Sequence, residues 1–336
     1  MKKSVFLILI ASSLAFFSCK EKQSAEKPLT MLMAELNPPE ALIGQVDQAF
    51  AEKVAELSDG RITINLQCSG ILGDESKIME MIVKPDSSIQ LARVSASLAS
   101  YGGEKSKLIT IPYTFSNSEH FWKFADSNIA DSNIADEILD EPYEKGLGVR
   151  GLFYAEEGFR HFFSVSKISS IEDMEGKRTR TSNSETLQNL IQALKATPVT
   201  VPFADLYASL QTGQTEVADQ PLSNYYSNGF HVVAPYIILD GHMLGAVQVL
   251  INSKCWDSLS ESQQQILKEA GRHATHFCRR IVERNEEEII EELENEGVKI
   301  TKVSDISPWR NACEEMIKDS SKNFPELYEK IVNLDK

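Results

Sequence analysis

The amino-acid sequence predicts an α/β protein of two lobes, with a central cleft and mixed or largely parallel sheets. A buried apolar run extends from Leu29 to Leu36, and apolar residues then recur at helical spacing from Ala41 to Leu57. After a turn, the chain alternates as a strand from Arg61 to Gln67. A strand, helix and strand of these lengths are typical of an α/β layer with a parallel sheet. A chain of 336 residues is long enough for two such domains.

A second observation is the length of one helical pattern. Apolar residues keep a period of about 3.6 from Ile266 to Leu293, and Ser260 with Gln263 has the spacing of a capping box before them. This pattern corresponds to roughly 45 Å of helix, which is more than one small domain needs. We therefore expect a long helix that both lobes share.

Composition excludes some classes of partner. The chain is 42 % hydrophobic and 25 % charged, with 34 basic and 49 acidic side chains and a net charge of −15. Removal of Lys2 and Lys3 with a signal peptide would leave 32 basic side chains against 49 acidic ones, a net charge of −17. Such an acidic surface argues against nucleic acid or anionic lipid as partners.

The amino terminus has the pattern of a secretory signal. Lys2 and Lys3 precede the apolar run from Val5 to Phe17, so residues 1–18 are predicted to be a signal peptide. Cys19 lies where a lipoprotein signal places its acylated cysteine, although a plain cleaved signal with a chance cysteine is the alternative. Residues 19–28 are polar and predict a tether. The mature protein is expected to be periplasmic or extracytoplasmic, as a membrane-anchored lipoprotein.

Several loops in the first half are placed to reach a ligand. In open α/β sheets the crevice lies beyond the carboxyl ends of the strands. The loops at residues 37–40 and 68–73 follow predicted strands, and a helix is expected from Glu75 to Ile82. Arg93 lies near the end of a strand from Ile89 to Ser95, and either Arg93 or Ser95 is expected to face the ligand. A lone arginine at such a position is more often at the surface.

The second half begins with a stretch that contains two arginines. A crossover strand is predicted from Gly148 to Tyr154, and Arg160 and Arg180 each follow a short extended run that meets a turn. Alternation along residues 177–181 places Arg178 and Arg180 on one face. The arginines fit a solvated edge strand. They also fit a cleft in which a guanidinium binds a carboxylate through two parallel hydrogen bonds.

The rest of the second half is predicted as shorter elements. Ser170 and Asp173 have the spacing of a capping box, and Gly176 is expected to end that helical turn. Strands are predicted from His231 to Leu239 and from Ala246 to Ile251.

A series of short motifs runs along most of the chain. These motifs are Gly60-Arg61-Ile62, residues 70–73, residues 108–115, Glu157-Gly158-Phe159-Arg160-His161, residues 173–180, residues 203–213 and Asp219-Gln220-Pro221-Leu222. In these motifs and their order, over roughly residues 29–305, the sequence resembles the DctP-type solute-binding proteins of tripartite ATP-independent periplasmic (TRAP) transporters. Their shared order is more specific than any one motif.

The resemblance implies a two-lobed periplasmic-binding-protein fold that captures a small organic acid. It implies that Arg180 is the main carboxylate clamp, that Arg160 supports it and that Gln220 completes the pocket. It also implies delivery to a membrane permease of two integral subunits driven by an ion gradient. Polar groups expected nearby would suit a hydroxylated acid such as a uronate or aldonate; they are Glu35, Asn37, Ser69 and Gln220. Phe203, Tyr113 and Trp122 are expected in the core.

Some positions depart from the family pattern. Gln220 replaces the usual asparagine before the proline, Glu216 and Val217 replace Asp-Gly, and Lys177 and Thr179 replace apolar residues. A longer amide at position 220 changes the depth of the pocket. The identity of the ligand is therefore not carried over from the family, whereas its carboxylate is.

The predicted lobes divide the chain into discontinuous pieces. Lobe I is expected to comprise residues 29–151 and about 242–282, and lobe II residues 152–241 and about 283–310, followed by a C-terminal helical segment at 311–336. Hinges are expected near Gly151 and near Asp240-Gly241.

Motifs for catalysis or cofactor binding are not found in the sequence. It contains no G-x-S-x-G, G-x-x-x-x-G-K, G-x-G-x-x-G or H-E-x-x-H pattern. His273 and His276 could share a metal, but no third ligand is evident. Four cysteines lack C-x-x-C spacing and are expected to be mostly buried thiols; they are Cys68, Cys255, Cys278 and Cys313. We expect no enzyme, cofactor or metal. The alternatives are a secreted enzyme acting on a sugar acid and a lipoprotein that holds an apolar ligand.

Overall fold

The computed structural model describes residues 28–96, 103–126 and 133–335, with the side chains of residues 283–285 left out of the description. The predicted signal peptide, Cys19 and the tether up to residue 27 lie outside the described residues. None of the helices in the described parts of the chain has the length and apolar content to cross a bilayer.

The described strands form one mixed sheet in the order β2-β1-β3-β8-β4-β7-β5-β6, and β9 pairs with β8. The β1–β2, β1–β3, β5–β6, β5–β7 and β8–β9 pairs are parallel, and β8 and β4 pair antiparallel with their other neighbours. The strands are β1 (Leu29–Ala34), β2 (Ile62–Gln67), β3 (Leu91–Ser95), β4 (Val149–Ser164), β5 (Arg178–Thr181), β6 (Thr197–Thr200), β7 (Val217–Pro221), β8 (Tyr236–Asn252) and β9 (Lys299–Lys302).

Helices cover both faces of this sheet. They are α1 (Leu42–Leu57), α2 (Glu75–Ile82), α3 (Ser118–Ala125), α4 (Ile134–Glu144), α5 (Glu185–Ala193), α6 (Leu206–Gln211), α7 (Leu222–Ser227), α8 (Phe230–Val233), α9 (Ser253–Ser258), α10 (Glu261–Asn295), α11 (Ser307–Ala312), α12 (Glu314–Ser321) and α13 (Pro325–Asn333). Three turns of 3-10 helix lie at Lys105–Thr110, Ile171–Met174 and Phe203–Asp205. The predicted capping box at Ser170 and Asp173 is present on the second of them.

Two long strands join the halves of the sheet. In one half, which we call lobe I, the carboxyl half of β8 lies between β3 and the amino half of β4. The carboxyl half of β4 lies between β7 and the amino half of β8 in the other half, lobe II. The residue boundaries predicted for the lobes stay a prediction.

The prediction of separate short strands in this region is wrong. Residues 149–164 form one strand, so Arg160 lies inside β4 rather than at a turn. Residues 236–252 also form one strand, and Phe230–Val233 is helical where an extended run was predicted. Glycines that suggest turns in the sequence lie instead inside these paired strands, at points where the strand register is irregular. The register shifts between Glu156 and Phe159, where Gly158 has φ +84°.

The prediction of a long helix shared by the lobes is confirmed. Helix α10 has 35 residues and begins at the predicted capping box of Ser260 and Gln263. Leu267 and Ala274 of its first half pack in the lobe I core with α1, whereas Ile289 and Leu293 pack in a lobe II core. The C-terminal helices also contact both lobes, because Trp309 lies in a lobe II core and Ile331 in the lobe I core.

Candidate ligand-binding site

A cleft between the lobes is lined by polar side chains from both. The cleft is partly open to solvent, and its cavity volume is about 80 Å³. Lobe I contributes the loop after β1, the start of α2 and the end of β3, and lobe II contributes β5, β7 and α7. The kink where β4 passes β8 forms another part of the wall.

Arg180 projects from β5 into this cleft. Its side chain is almost fully buried, with the residue 4 % exposed, and Nε donates to the carbonyl oxygen of Val201 at 2.9 Å. No ion pair joins Arg180 to an aspartate or glutamate in the described parts of the chain. Burial lowers the pKa of Arg180 to about 10. The site therefore contains a buried guanidinium whose charge the protein has not neutralised by direct contact.

Arg178, two residues earlier on the same strand, has the opposite environment. Its side chain is half exposed and donates to the carbonyl oxygens of Gly213 at 3.0 Å and Gln214 at 3.2 Å. It also pairs with Glu216 at 3.2 Å. Arg178 thus has the environment of a solvated edge strand, and Arg180 has the environment of a cleft. These are the two alternatives that the sequence left open.

Arg160 lies on β4 just beyond the kink and contacts Asp219 on β7. Nε donates to Oδ2 of Asp219 at 2.6 Å and Nη2 donates to the backbone oxygen at 2.8 Å. Burial lowers the pKa of Arg160, but Asp219 outweighs it and the net pKa is raised. Arg160 is therefore a partnered cation at the wall of the cleft.

A buried histidine continues this contact away from the cleft. His242 Nε2 lies 3.3 Å from Oδ2 of Asp219, and Nδ1 lies 2.7 Å from Oδ2 of Asp240. Burial disfavours the charged imidazole, but Asp240 and Asp219 outweigh this effect and raise the pKa of His242 to about 9. The ring stacks on Phe162 with 4.2 Å between centroids. The charged histidine holds Asp219 in place behind Arg160.

On the lobe I side, Arg93 is held by a buried ion pair. Nε donates to Oε2 of Glu35 at 2.7 Å, and Nη2 donates to Oε1 of the same carboxylate. Glu35 also accepts from the backbone N–H of Asn37 at 2.5 Å. Nη1 of Arg93 lies 3.9 Å from Glu75, which accepts from the backbone N–H of Ser95 at 2.6 Å. Strands β1 and β3 and helix α2 are thereby tied together beside the cleft.

Two further carboxyl groups are buried near Arg93. Asp47 on α1 is fully buried, and burial together with the neighbouring Glu35 raises its pKa well above the usual range. Glu157 on β4 lines the cleft with 7 % of its surface exposed, and burial raises its pKa also. In its neutral, protonated form, Asp47 can donate a hydrogen bond to Glu35.

The structure brings most of the predicted site residues together. Five of the seven line the cleft: Arg180, Arg160, Gln220, Asn37 and Arg93. Glu35 lies behind Arg93 with 1 % of its surface exposed, so it positions the arginine rather than facing the cleft. Ser69 is exposed at a wider mouth that adjoins the cleft. Ligand contact by these residues stays a prediction.

Sequence reasoning missed other lining residues. Glu75, Glu157 and Asn224 line the cleft, as does Phe203, which was expected in the core. Phe203 follows β6 and also lines the mouth. The acidic residues gave little signal, since Glu75 has the position of an ordinary charge in a first helical turn.

Comparison with known proteins identifies the family. Residues 33–323 match the profile of DctP, described as bacterial extracellular solute-binding protein, family 7. The chain belongs to this family. DctP proteins of this type are the periplasmic solute-binding components of TRAP transporters, so the predicted family and the prediction of a binding protein rather than an enzyme are confirmed.

Individual relatives of this DctP-family protein are distant in sequence and similar in fold. The sialic acid-binding periplasmic protein SiaP of Vibrio cholerae is 23 % identical over 289 residues, which cover 85 % of this chain and 87 % of the relative. A TRAP periplasmic solute-binding protein of Pseudomonas putida F1, solved with bound D-glucuronate, is 22 % identical with TM-score 0.84, covering 90 % and 97 % of the two chains. The sugar acid-binding protein of Advenella mimigardefordensis, in complex with galactonate, is 21 % identical with TM-score 0.83, covering 92 % and 98 %. These likenesses confirm the α/β periplasmic-binding-protein fold.

Among the described residues, no group of three His, Cys, Asp or Glu is arranged to hold a metal ion. The four cysteines after Cys19 are free thiols, with Cys278 and Cys313 buried and Cys68 and Cys255 half-buried.

Proposed function

We propose that this DctP-family protein captures a hydroxylated organic acid, such as a sugar acid, with the ligand carboxylate on Arg180. The observation that carries the proposal is the buried guanidinium of Arg180, which has no carboxylate partner among the described residues. A ligand carboxylate could take two parallel hydrogen bonds from it and supply the missing charge. Because the guanidinium is almost fully buried, this contact is poorly screened.

The other lining groups favour hydroxyls over a second carboxylate. Asn37, Gln220 and Asn224 can each donate and accept hydrogen bonds, as hydroxyl groups require. Glu75 and Glu157 would accept hydrogen bonds from hydroxyls and would repel a second anion. Two proteins of similar fold were solved with D-glucuronate and galactonate, which are acids of this class.

The captured acid is delivered to a TRAP membrane permease, as the family implies. A ligand that contacts both lobes stabilises a closed state by its extra affinity for that state. Closure presents both lobes together to the permease. The lobe division predicted from the sequence, with residues 152–241 central to lobe II, is part of this proposal.

The mature protein is held at the membrane by a lipid on Cys19. The position of Cys19 after the apolar run from Val5 to Phe17 supports this part of the proposal. Intact mass and membrane fractionation of the natural protein and of Cys19→Ser would test it. A natural protein that is released with an unmodified amino terminus would contradict the anchor.

Mass spectrometry of ligand released from the purified protein tests the binding function directly. We expect an organic acid, and we expect D-glucuronate, D-galacturonate or D-galactonate to bind in calorimetry more tightly than succinate, which has a second carboxylate and no hydroxyl groups. Recovery of an apolar compound, together with no heat from any of these acids, would refute the proposal.

A further inference from the structure

One part of the cleft presents hydrogen-bond acceptors that lack donors. Oε1 of Glu157 and Oδ1 of Asn37 are buried and accept no hydrogen bond from any described residue. Their residues are only 7 % and 3 % exposed, and both line the cleft. Glu75 lines the same cleft with a carboxylate that accepts from the backbone of Ser95. We call Asn37, Glu75 and Glu157 the acceptor pole.

Buried acceptors without donors are costly, and native structures rarely leave them so. Ligand groups that donate hydrogen bonds would remove this cost. Two kinds of donor fit the geometry: hydroxyl groups, which are neutral, and an ammonium group, which carries three N–H donors and a positive charge. The charge of the surroundings decides between them.

The acceptor pole has an excess of negative charge. Arg93 and Arg160 are the cations beside it, and they lie against four carboxylates, which are Glu35, Asp219, Glu75 and Glu157. Glu35 already takes two hydrogen bonds from Arg93, so the carboxylates that line the cleft are only weakly compensated. Glu75 remains 3.9 Å from Nη1 of Arg93.

At Arg180 the excess charge is positive. Its guanidinium has no ion-pair partner among the described side chains, while Asp219 is taken up by Arg160 and His242. The cleft therefore combines a cation on β5 that has no ion-pair partner among the described residues with weakly compensated carboxylates on α2 and β4. A ligand of matching charge is a zwitterion.

We propose that the acceptor pole binds a protonated amine, so that the ligand is an amino-substituted acid with its carboxylate on Arg180. This inference rests on the proposed function and narrows its substrate class. Hydroxyl groups would satisfy the acceptors of the pole, but they would leave its charge uncompensated. An ammonium group both donates hydrogen bonds to these carboxylates and supplies the opposite charge.

The test uses pairs of acids that differ only in the terminal group. Calorimetry at pH 7 compares 4-aminobutyrate with 4-hydroxybutyrate, and likewise the five-carbon and six-carbon pairs, on the natural protein. At the length that spans the site, we expect the amino acid to bind at least about tenfold more tightly than its hydroxy partner. Glu157→Gln should reduce this preference to about threefold or less, because it keeps the shape of the side chain and removes its charge.

Glu80→Gln is the matched control, because Glu80 lies on α2 with an exposed side chain and should leave the preference unchanged. Equal or tighter binding of the hydroxy acid at every length would overturn the inference, as would an amine preference that survives Glu157→Gln. If the hexuronates bind and no amino acid does, the inference fails and the proposed function stands. If no acid of either kind binds, the proposed function fails with it.

Discussion

Arg160 and Asp219 are joined by two hydrogen bonds, one to the carboxylate at 2.6 Å and one to the backbone oxygen at 2.8 Å. The pair lies where β4 and β7 run antiparallel, with Arg160 opposite Pro221. Asp219 also faces the charged ring of His242. One aspartate therefore compensates two buried cations, which makes it a residue that the fold depends on.

Replacement of this aspartate should destabilise the protein. Asp219→Asn keeps the size of the side chain but leaves Arg160 and His242 without their shared anion. Removal of one partner from a buried ion pair typically costs about 3–5 kcal/mol. Denaturant unfolding should therefore show a loss of about that size in the free energy of unfolding.

Glu216→Gln is a suitable control for this measurement. Glu216 pairs with the half-exposed Arg178, and exposed pairs contribute about 1 kcal/mol or less. Equal losses in the two variants would mean that the Asp219 contact is no stronger than a surface pair.

Stability should fall at alkaline pH because of His242. Its folded pKa is raised to about 9, above the value of about 6.5 expected in the unfolded chain. The charged ring therefore stabilises the fold fully below about pH 6.5, and this contribution is lost as the pH rises through about 9. Over that range we expect the free energy of unfolding to fall by about 3 kcal/mol from this group.

His242→Gln should remove most of this alkaline slope. His161→Gln should leave it in place, because burial lowers the pKa of His161 to about 4 and that ring is neutral throughout the range. Urea titrations of the three proteins between pH 6 and 10 would measure the slopes. A slope that is identical in the natural protein and in His242→Gln would exclude His242 as its source.

Arg180 should be the residue on which acid binding depends most. Arg180→Ala removes the buried cation, and loss of one partner of a buried charge pair costs about 2–5 kcal/mol in binding. Calorimetry should show that the affinity for the acid falls by a factor of roughly tens to thousands. Arg178→Ala, on the same strand but at the surface, should bind within about threefold of the natural protein. Similar affinities in the two variants would remove Arg180 from its proposed role.

Helices α1 and α2 and strands β1 and β2 were predictable because their signals are local. The apolar spacing of α1, the turn before β2 and the first turn of α2 each lie within a few residues. Helix α2 was predicted with the bounds Glu75 to Ile82 that the structure has. Helix α10 was predictable for the same reason, since Ser260 and Gln263 mark its beginning.

The long strands were not predictable from local signals. A glycine in a sequence suggests a turn, and Gly158 and Gly241 do have positive φ in the structure. In the structure both glycines lie inside β4 and β8, because the pairing of these strands with each other outweighs the local preference. That pairing joins residues about 70 to 100 positions apart, as in Arg160 with Met243, and a single sequence does not reveal it.

The charges of the site were predictable only in part. Arg180 and Arg160 stand in motifs as predicted cleft residues, whereas Glu157 was not predicted to line the cleft. Glu156 and Glu157 are both buried at the kink, and Glu156 accepts a hydrogen bond from Ser118. Glu286 on α10 also lies against this kink near Gly158, and burial raises its pKa.

The kink where β4 and β8 pass each other forms part of the wall of the cleft. A Cβ atom at Gly245 would lie 2.9 Å from the backbone oxygen of Gly158 and 2.9 Å from Cγ of Pro221. Neither neighbour is the end of a flexible side chain, so Gly245→Ala must push the two strands apart. Overpacking of this kind costs about 1–3 kcal/mol. Because Gly245 also lines the cleft, we expect weaker acid binding and a smaller ligand-induced decrease in the radius of gyration.

Gly213→Ala separates this effect from backbone strain. Gly213 has φ +72°, and a Cβ atom there would have no neighbour within 4 Å, so alanine costs only the left-handed conformation, about 1 kcal/mol. Small-angle scattering with and without ligand should show normal closure in Gly213→Ala and reduced closure in Gly245→Ala. Normal closure and affinity in both variants would mean that the crossing of β4 and β8 is not part of the hinge.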